Sequence, residues 1–414
     1  MSSLLWPGDE RAGALMSDEA FLRAMVRVED TWLRSLVDSG LAPGSARADL
    51  VAVIRPDDVS TVARGAEAAG NPVVPLLALL RGRVGHDAAA WLHRGLTSQD
   101  VLDTALVLVL RDTLDAVVHE LRAQVGALAG LAQRHLGTAM VGRTLTQQAV
   151  PTTFGAVTAA WLDGVLDAAH DLTAVRTRLP VQVGGAVGTL SALTELARHR
   201  HPGDPAVVVA ELVTRTADAL ALQHRRPWHT SRGPVTRAGD ALVGCTDAWG
   251  RIATDVCLLA RTEIGEVAEP VGPGRGTSST MPHKHNPVLS ILVRRAALAA
   301  PGLGSTLHLA AALSGDQRPD GAWHAEWATL ATLARRTVVA ASQTTELLEG
   351  LHVDADRMRA TLQRVSEVVL AERRAVDALV GAQDEADPTT YLGISDELVR
   401  GAVERARTFV EESQ

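Results

Sequence analysis

The chain has 414 residues, of which 46% are hydrophobic and 21% charged, and its net charge at pH 7 is −8. This length allows two or three domains with a large buried core, and the acidic balance argues against a nucleic-acid partner. Aromatic residues make up only 3% of the sequence, so the core has to be built from Ala, Leu and Val, which suits closely packed helices.

Neither secretion nor membrane insertion is indicated by the apolar patterning. The N-terminal segment has no basic stretch followed by an apolar one, and no uninterrupted apolar run approaches the roughly 20 residues that span a bilayer.

Cys245 and Cys257 lie in one predicted helix, about 18 Å apart at about 1.5 Å per residue, too far for a disulfide. We therefore expect reduced thiols in a cytoplasmic protein with no membrane partner.

Helical periodicity dominates and divides the chain into three predicted domains. Residues 1–97 form short helices broken by Gly and Pro, residues 98–350 carry long apolar helices, and residues 351–414 are more polar with short helices. The long helices are predicted at 101–134, 151–178, 235–267, 287–301 and 323–348. Their pattern predicts an all-α extended bundle. One chain could hardly cover so many apolar faces, so several copies should pack together.

The loop 270–287 between two long helices carries the strongest chemical signal. It contains four prolines, three glycines and Lys284, which is the only lysine among 40 basic side chains. Removing a proton next to a carboxylate creates a dianionic aci-carboxylate, which needs a cation and hydrogen-bond donors where the charge develops. Lys284 and Asn286 can supply these, and a serine can be the base if its alkoxide is held by amides.

The segment from Gly276 to Pro287, Gly-Thr-Ser-Ser-Thr-Met-Pro-His-Lys-His-Asn-Pro, resembles the signature loop of the aspartase/fumarase superfamily. The resemblance implies that Ser278 is the base and that Lys284 and Asn286 hold the activated carboxylate. It also implies an α-helical homotetramer around a twenty-helix core, with each site assembled from three subunits and no cofactor or metal.

Further segments match the superfamily in order and spacing, so the resemblance covers nearly the whole chain. They begin at His93, Gly142 and Gln182. The match implies that Thr97 and Ser98 bind a substrate carboxylate, and Arg318 fits a carboxylate clamp. The complete set of substrate-binding candidates is Thr97, Ser98, Arg143, Thr144, Gln148, Met281 and Arg318.

Segments at 71–75, 227–230 and 321–327 look most like the 3-carboxy-cis,cis-muconate cycloisomerases. Those enzymes have histidine where this chain has Gln148, and many superfamily lyases have one at the position of Leu145. Glutamine cannot deliver a proton, so Gln148 can only orient the substrate. His93 is a candidate replacement for the lost acid. The C-terminal segment 351–414 is also shorter than the cycloisomerase pattern.

A leaving group that departs as a stable anion needs no acid, and two such reactions fit. The first hypothesis is lactonising cycloisomerisation of a tricarboxylate. The alternative is a fumarate-releasing lyase, such as a nitrosuccinate lyase, which acts on a dicarboxylate. A third hypothesis is a helical scaffold without catalysis, against which the intact set of Ser278, Lys284 and Asn286 argues.

Overall fold

The computed structural model describes residues 4–272, 274–278, 280–281, 284–382 and 387–412. Within these residues the chain is helical with only short strands, which confirms the predicted all-α class. The helices are α1 (Asp18–Asp38), α2 (Asp58–Ala69), α3 (Val73–Arg81), α4 (His86–Trp91), α5 (Ser98–Arg134), α6 (Phe154–Arg176), α7 (Ser191–Arg200), α8 (Pro205–Leu220), α9 (Gly233–Leu259), α10 (Val288–Ala312), α11 (Gly321–Glu349), α12 (Ala355–Arg364), α13 (Ser366–Val369), α14 (Ala371–Val380) and α15 (Ser395–Glu412).

The strands pair into two small antiparallel sheets. They are β1 (Ala139–Thr144), β2 (Gln147–Thr153), β3 (Val267–Ala268) and β4 (His352–Val353), with β1 paired to β2 and β3 to β4. Both sheets join segments that the sequence pattern treats as separate, and β3–β4 ties the entrance of the signature loop to the segment before α12.

The chain divides into two compact units, each built from three stretches of sequence. One unit comprises Met1–Ala116, Thr173–Leu242 and Pro301–Val338, and the other comprises Val117–Leu172, Val243–Ala300 and Val339–Gln414. This is a division in space, whereas the three predicted domains divide the chain in sequence order.

The N-terminal half of α5 lies in the core of the first unit. Val101, Leu102 and Ala105 are fully buried, and so are the acidic residues Asp100 and Asp103 on the same helix. A helix that is apolar nearly all round is expected to be buried on every side. The two buried carboxylates require partners, because an unpaired buried charge is costly.

Few aromatic side chains are available, and four tryptophans are among the largest fully buried residues. Each has its indole N–H paired, as buried tryptophans usually do. Trp32 donates to the carbonyl of Arg94, and Trp161 donates to a carboxylate oxygen of Asp255. Trp228 donates to the carbonyl of Val181, and Trp249 donates to the amide oxygen of Gln124.

Three predicted helix boundaries are wrong. Pro151 lies in β2, where it pairs with Val141, and α6 begins only at Phe154. α9 ends at Leu259 instead of 267, where Val267 already belongs to β3. α10 continues through Pro301, which lies inside the helix. At Pro151 strand pairing overrides a local helix signal, whereas α10 continues past a proline that was expected to end it.

α10 also has the length and mean hydropathy of a membrane span, with a third of that stretch buried within the described residues. A single such helix is weak evidence, because core helices meet the same criteria. Leu298 and Leu309 on this helix are 81% and 61% exposed.

Candidate active site

The signature loop between β3 and α10 folds back on itself. Thr277 and His285 form an antiparallel bridge, and the amide N–H of Asn286 donates to the carbonyl of Gly276 across 2.8 Å. Gly276 has φ +67°, and a Cβ there would lie 2.5 Å from the carbonyl oxygen of Asn286. Only glycine therefore permits this closure. Three residues of the motif, Ser279, Pro282 and His283, lie outside the described residues.

Ser278 lies half-buried within this closed loop. Its Oγ accepts hydrogen bonds from two backbone amides, that of Met281 at 3.1 Å and that of Thr280 at 3.4 Å. Two amides directed at a hydroxyl oxygen stabilise negative charge on that oxygen. This is the environment that the sequence hypothesis requires of a serine base.

Lys284 and Asn286 are placed by the same loop. The amide N–H of Lys284 donates to the carbonyl of Met281 across 3.0 Å, and the Asn286 side-chain amide donates to the carbonyl of Gly276 across 3.2 Å. Lys284 is exposed, and no ion pair involves it within the described part of the chain. Met281 is also exposed. The loop thus presents a serine oxygen, a cation and an amide on one short segment.

The Thr97–Ser98 turn at the start of α5 is held by a single buried carboxylate. Asp100 accepts the amide N–H of Thr97 at 2.9 Å, the contact that the third residue of a helix makes in a capping box. It also accepts the amides of Gly184 and Gly185, both at 2.9 Å. The Gln182 side-chain amide and Nε2 of His229 lie 3.0 Å from the same carboxylate.

Sequence reasoning missed this role of Asp100, although its place as the fourth residue of the capping motif was a usable signal. The carboxylate joins the turn that carries Thr97 and Ser98 to two segments about 80 to 130 residues away in the chain. A carboxylate that accepts several N–H donors rigidifies its surroundings. The two candidate carboxylate-binding residues therefore sit on a stiffened turn.

His93, the candidate acid, is paired with a buried carboxylate. Its Nδ1 lies 2.6 Å from Oε1 of Glu29, a fully buried residue whose Oε2 has no hydrogen-bond partner among the described residues. His93 also has φ +66°, which is uncommon for a residue other than glycine. A carboxylate on Nδ1 fixes the tautomer and orientation of an imidazole. Glu29 has no sequence motif of its own and could not be found from the sequence.

Arg318 precedes α11 and is half-buried. Its Nε is buried and lacks a hydrogen-bond partner in the described ranges. A guanidinium nitrogen can donate to a carboxylate, and the clamp role of Arg318 stays a prediction. The nearby Trp323 and Trp327 pack edge to face with ring centroids 4.7 Å apart, and the Trp323 indole donates to Asp103. These two rings have a packing role.

The hairpin β1–β2 carries the other candidates, Arg143, Thr144 and Gln148. Arg143 donates to both carboxylate oxygens of the buried Glu266, at 2.9 and 2.7 Å. Thr144 and Gln148 are exposed near the tip. Arg143 is thus committed to an internal ion pair that anchors the hairpin, whereas Thr144 and Gln148 are open to a ligand. The role of all three in substrate binding stays a prediction.

The hairpin turn itself is strained. Leu145 and Thr146 connect the strands with φ +47° and +69°, the two positive values of a type I′ turn, which Asn-Gly normally occupies. Neither residue is glycine, and a β-branched residue in this region is an outlier. Leu145 is also 95% exposed. Strain of this kind is usually retained at functional segments.

We expect Thr146→Gly to raise the free energy of unfolding by about 1 kcal/mol. Glycine removes the strain of a positive φ, which costs about 1–3 kcal/mol, and this gain is partly offset because glycine loses more chain entropy on folding. Chemical denaturation of wild type and variant measures the difference. The matched control is Thr153→Gly at the far end of β2, a buried site in regular strand, which should be destabilising. A loss of stability in Thr146→Gly would contradict the strained turn.

A second buried charge cluster lies in the first unit. Arg232, fully buried, pairs with Asp103 and Glu326 at 2.7 Å each. Burial raises the pKa of Glu326, and the hydrogen bond from Arg232 opposes that rise. Among the described residues, no group of three or more His, Cys, Asp or Glu side chains could hold a metal.

The two cysteines are both free, with Cys245 buried and Cys257 half-buried on α9. Burial raises the pKa of the Cys245 thiol to about 12, so it stays protonated and unreactive at neutral pH.

Comparison with known proteins agrees with the helical fold and the signature loop. A family model described as Lyase matches residues 53–302. The chain belongs to this lyase family, within the aspartase/fumarase superfamily, and is an enzyme of that superfamily.

Its relatives carry out more than one reaction. A nitrosuccinate lyase of Streptomyces davaonensis is 44% identical over 384 residues, covering 90% of this chain and 80% of the relative. A 3-carboxy-cis,cis-muconate cycloisomerase of Pseudomonas aeruginosa is 40% identical over 365 residues, covering 87% and 77%. The crystal structure of the 3-carboxy-cis,cis-muconate lactonizing enzyme from Pseudomonas putida superposes with a TM-score of 0.85 at 34% identity, covering 96% and 97%.

Proposed function

We propose that the chain catalyses a cofactor-free elimination from a dicarboxylate, with nitrosuccinate as substrate and fumarate and nitrite as products. The observation that carries the chemistry is the Ser278 oxygen held by two amides in the loop that also presents Lys284. The choice of substrate is supported by the 44% identity to a nitrosuccinate lyase and by Gln148, which cannot act as an acid.

In the proposed reaction, Ser278 as alkoxide takes a proton from the carbon next to one carboxylate. The electron pair passes into that carboxylate, and the resulting dianion is stabilised by Lys284 and Asn286. When the electrons return, a carbon–carbon double bond forms, the bond from the neighbouring carbon to nitrogen breaks, and nitrite leaves as an anion. Nitrite needs no protonation on departure, so the reaction tolerates glutamine at position 148.

Thr97, Ser98 and Arg318 are proposed to bind the substrate carboxylates. The stiff Asp100-anchored turn and the unpaired buried Nε of Arg318 support these roles. His93 is proposed as a candidate acid, supported by its carboxylate partner Glu29, which orients the imidazole.

Lactonising cycloisomerisation is the second candidate, and the relatives named for that reaction support it. They are 38–40% identical over most of this chain, and the structure of one from Pseudomonas putida shares its fold. The same proton transfer by Ser278 would serve, because the lactone opens to a carboxylate that also leaves as a stable anion.

The two reactions are separated by a direct assay. Purified enzyme is given nitrosuccinate while fumarate absorbance and nitrite are followed, and 3-carboxy-cis,cis-muconate while lactone formation is followed. Turnover of nitrosuccinate supports the proposal, and lactone formation alone supports the second candidate. If the enzyme converts neither substrate, both candidate functions are rejected.

We further propose a homotetramer in the cytoplasm, in which copies of the chain complete each other's sites. The exposed Leu298 and Leu309 of α10 and the exposed hairpin tip at Leu145 support contact surfaces between copies. Light scattering of the purified protein tests the assembly.

A further inference from the structure

A polar cavity of about 270 Å³ lies beside Gln148 in the second unit. Its walls come from the hairpin tip, from the segment that follows α9, and from the C-terminal end of α12. The lining side chains that can bind a ligand are Arg143, Thr146, Gln148, Glu263, Thr361 and Arg364. Sequence comparison pointed to Gln148 and Arg143, whereas Thr361 and Arg364 belong to no recognised motif.

The cavity is held open by a built frame. Val141 of β1 and Leu362 of α12 belong to one buried cluster, so the hairpin and α12 are packed together. The guanidinium of Arg357 donates to the carbonyl of Ile264 at 2.9 Å, which ties α12 to the segment that follows α9. The side chain of Arg364 is therefore presented from a helix whose position is fixed on two sides.

The charges on the walls leave one guanidinium available. Arg143 is engaged by Glu266, as described above, and its charge is compensated. Arg364 and Glu263 are both exposed, and neither has an ion-pair partner among the described residues. Glu263 repels an anion, whereas Arg364, the Gln148 amide and the threonine hydroxyls donate hydrogen bonds. These hydrogen-bond donors favour an anionic or electron-rich ligand despite the one opposing carboxylate.

We propose that this cavity binds a planar group with two oxygens, and that Arg364 is the specificity-determining residue which holds it together with Gln148. A guanidinium makes two parallel hydrogen bonds to such a group, and an amide N–H adds a third. The group is either the nitro group or a carboxylate of the substrate, which share a planar shape and two oxygens that accept hydrogen bonds. The proposal rests on the proposed function, since it assigns the cavity to the same substrate.

The test is Arg364→Leu. With nitrosuccinate, KM is expected to rise about tenfold to hundredfold, the loss of a hydrogen-bonded charged contact, while the free energy of unfolding changes little because the side chain is exposed. Glu263→Gln removes the repulsion and should lower KM. The control is Arg359→Leu, which makes the same change at an exposed position of α12 outside the cavity and should leave KM unaltered.

Product inhibition identifies the group that is bound. Weaker inhibition by nitrite in Arg364→Leu assigns the cavity to the nitro group, and weaker inhibition by fumarate assigns it to a carboxylate. A KM within about twofold of wild type, with both inhibitions unchanged, overturns the proposal.

The failure of this inference is distinct from that of the proposed function. If wild-type enzyme converts neither nitrosuccinate nor 3-carboxy-cis,cis-muconate, the proposed function fails. Calorimetric binding of fumarate and of nitrite to wild type and to Arg364→Leu then tests the cavity alone. Equal affinity of the two proteins for both probes, or no binding to wild type, overturns the inference.

Discussion

Ser278→Ala is expected to lower kcat at least about a hundredfold, the low end for loss of a general base. The physical reason is local: the Oγ of Ser278 accepts the amide N–H groups of Thr280 and Met281, which would hold its alkoxide. Alanine leaves those two amides without a charge to stabilise and removes the oxygen that takes the proton. The measurement is steady-state turnover of nitrosuccinate or of 3-carboxy-cis,cis-muconate, whichever the enzyme converts.

Thr277→Ala is the matched control for this variant. It removes a hydroxyl from the adjacent, exposed residue, whose Oγ1 donates to the carbonyl of Gly274 across a long 3.4 Å. Its kcat should stay close to that of wild type. Near-normal turnover in Ser278→Ala, with an unchanged oligomeric state by light scattering, would exclude Ser278 as the base.

Arg232→Met is expected to lower the free energy of unfolding by about 3–5 kcal/mol, the cost of removing one partner from a buried ion pair. The variant leaves Asp103 and Glu326 without their cation in a fully buried site. The Trp323 indole and the Gln99 side-chain amide still donate to Asp103, but two neutral donors cannot balance two carboxylates. Chemical denaturation at neutral pH measures the loss.

The destabilisation of Arg232→Met should shrink as the pH falls. Burial already raises the pKa of Glu326, and the hydrogen bond from Arg232 that lowers it is lost in the variant. A carboxyl whose folded pKa lies above its unfolded value favours folding at low pH, and this stability is lost as pH rises through the folded pKa.

The control for this second variant is Arg23→Met, which breaks an exposed pair with Glu19 on α1. Such a pair contributes about 0.3–0.5 kcal/mol, so the control should unfold almost like wild type. A loss below about 1 kcal/mol in Arg232→Met, or one that grows toward acid pH, would contradict the role given to the cluster.

Much of the fold could be predicted because the signals were local. The apolar run after Thr97 predicted one long helix over 101–134, and α5 spans Ser98–Arg134. The density of Gly and Pro in residues 270–287 marked the signature loop, and the structure shows Gly276 closing it. The serine with its amides was anticipated for the same reason, since all its partners lie within three residues.

The errors and omissions involve partners that the local sequence pattern does not indicate. Pro151 looked like the first residue of a helix, but its pairing with Val141 makes it part of a strand. Glu29 has no local signal. It becomes a candidate functional residue only because it contacts His93, which lies 64 residues further along the chain. Arg364 likewise gains significance from the hairpin that α12 packs against. Tertiary contacts determine the structure or the role of each of these residues, and hydrophobic periodicity does not predict such contacts.

The lone lysine on the exposed part of the loop has a practical consequence. Because Lys284 is the only lysine side chain in the sequence, an acylating reagent that prefers amines meets one side-chain target in the whole chain. The stoichiometry and rate of its labelling become a direct measure of how open the signature loop is, with no engineered probe. Protection of that amine by a dicarboxylate would report occupancy even for a substrate that is not converted.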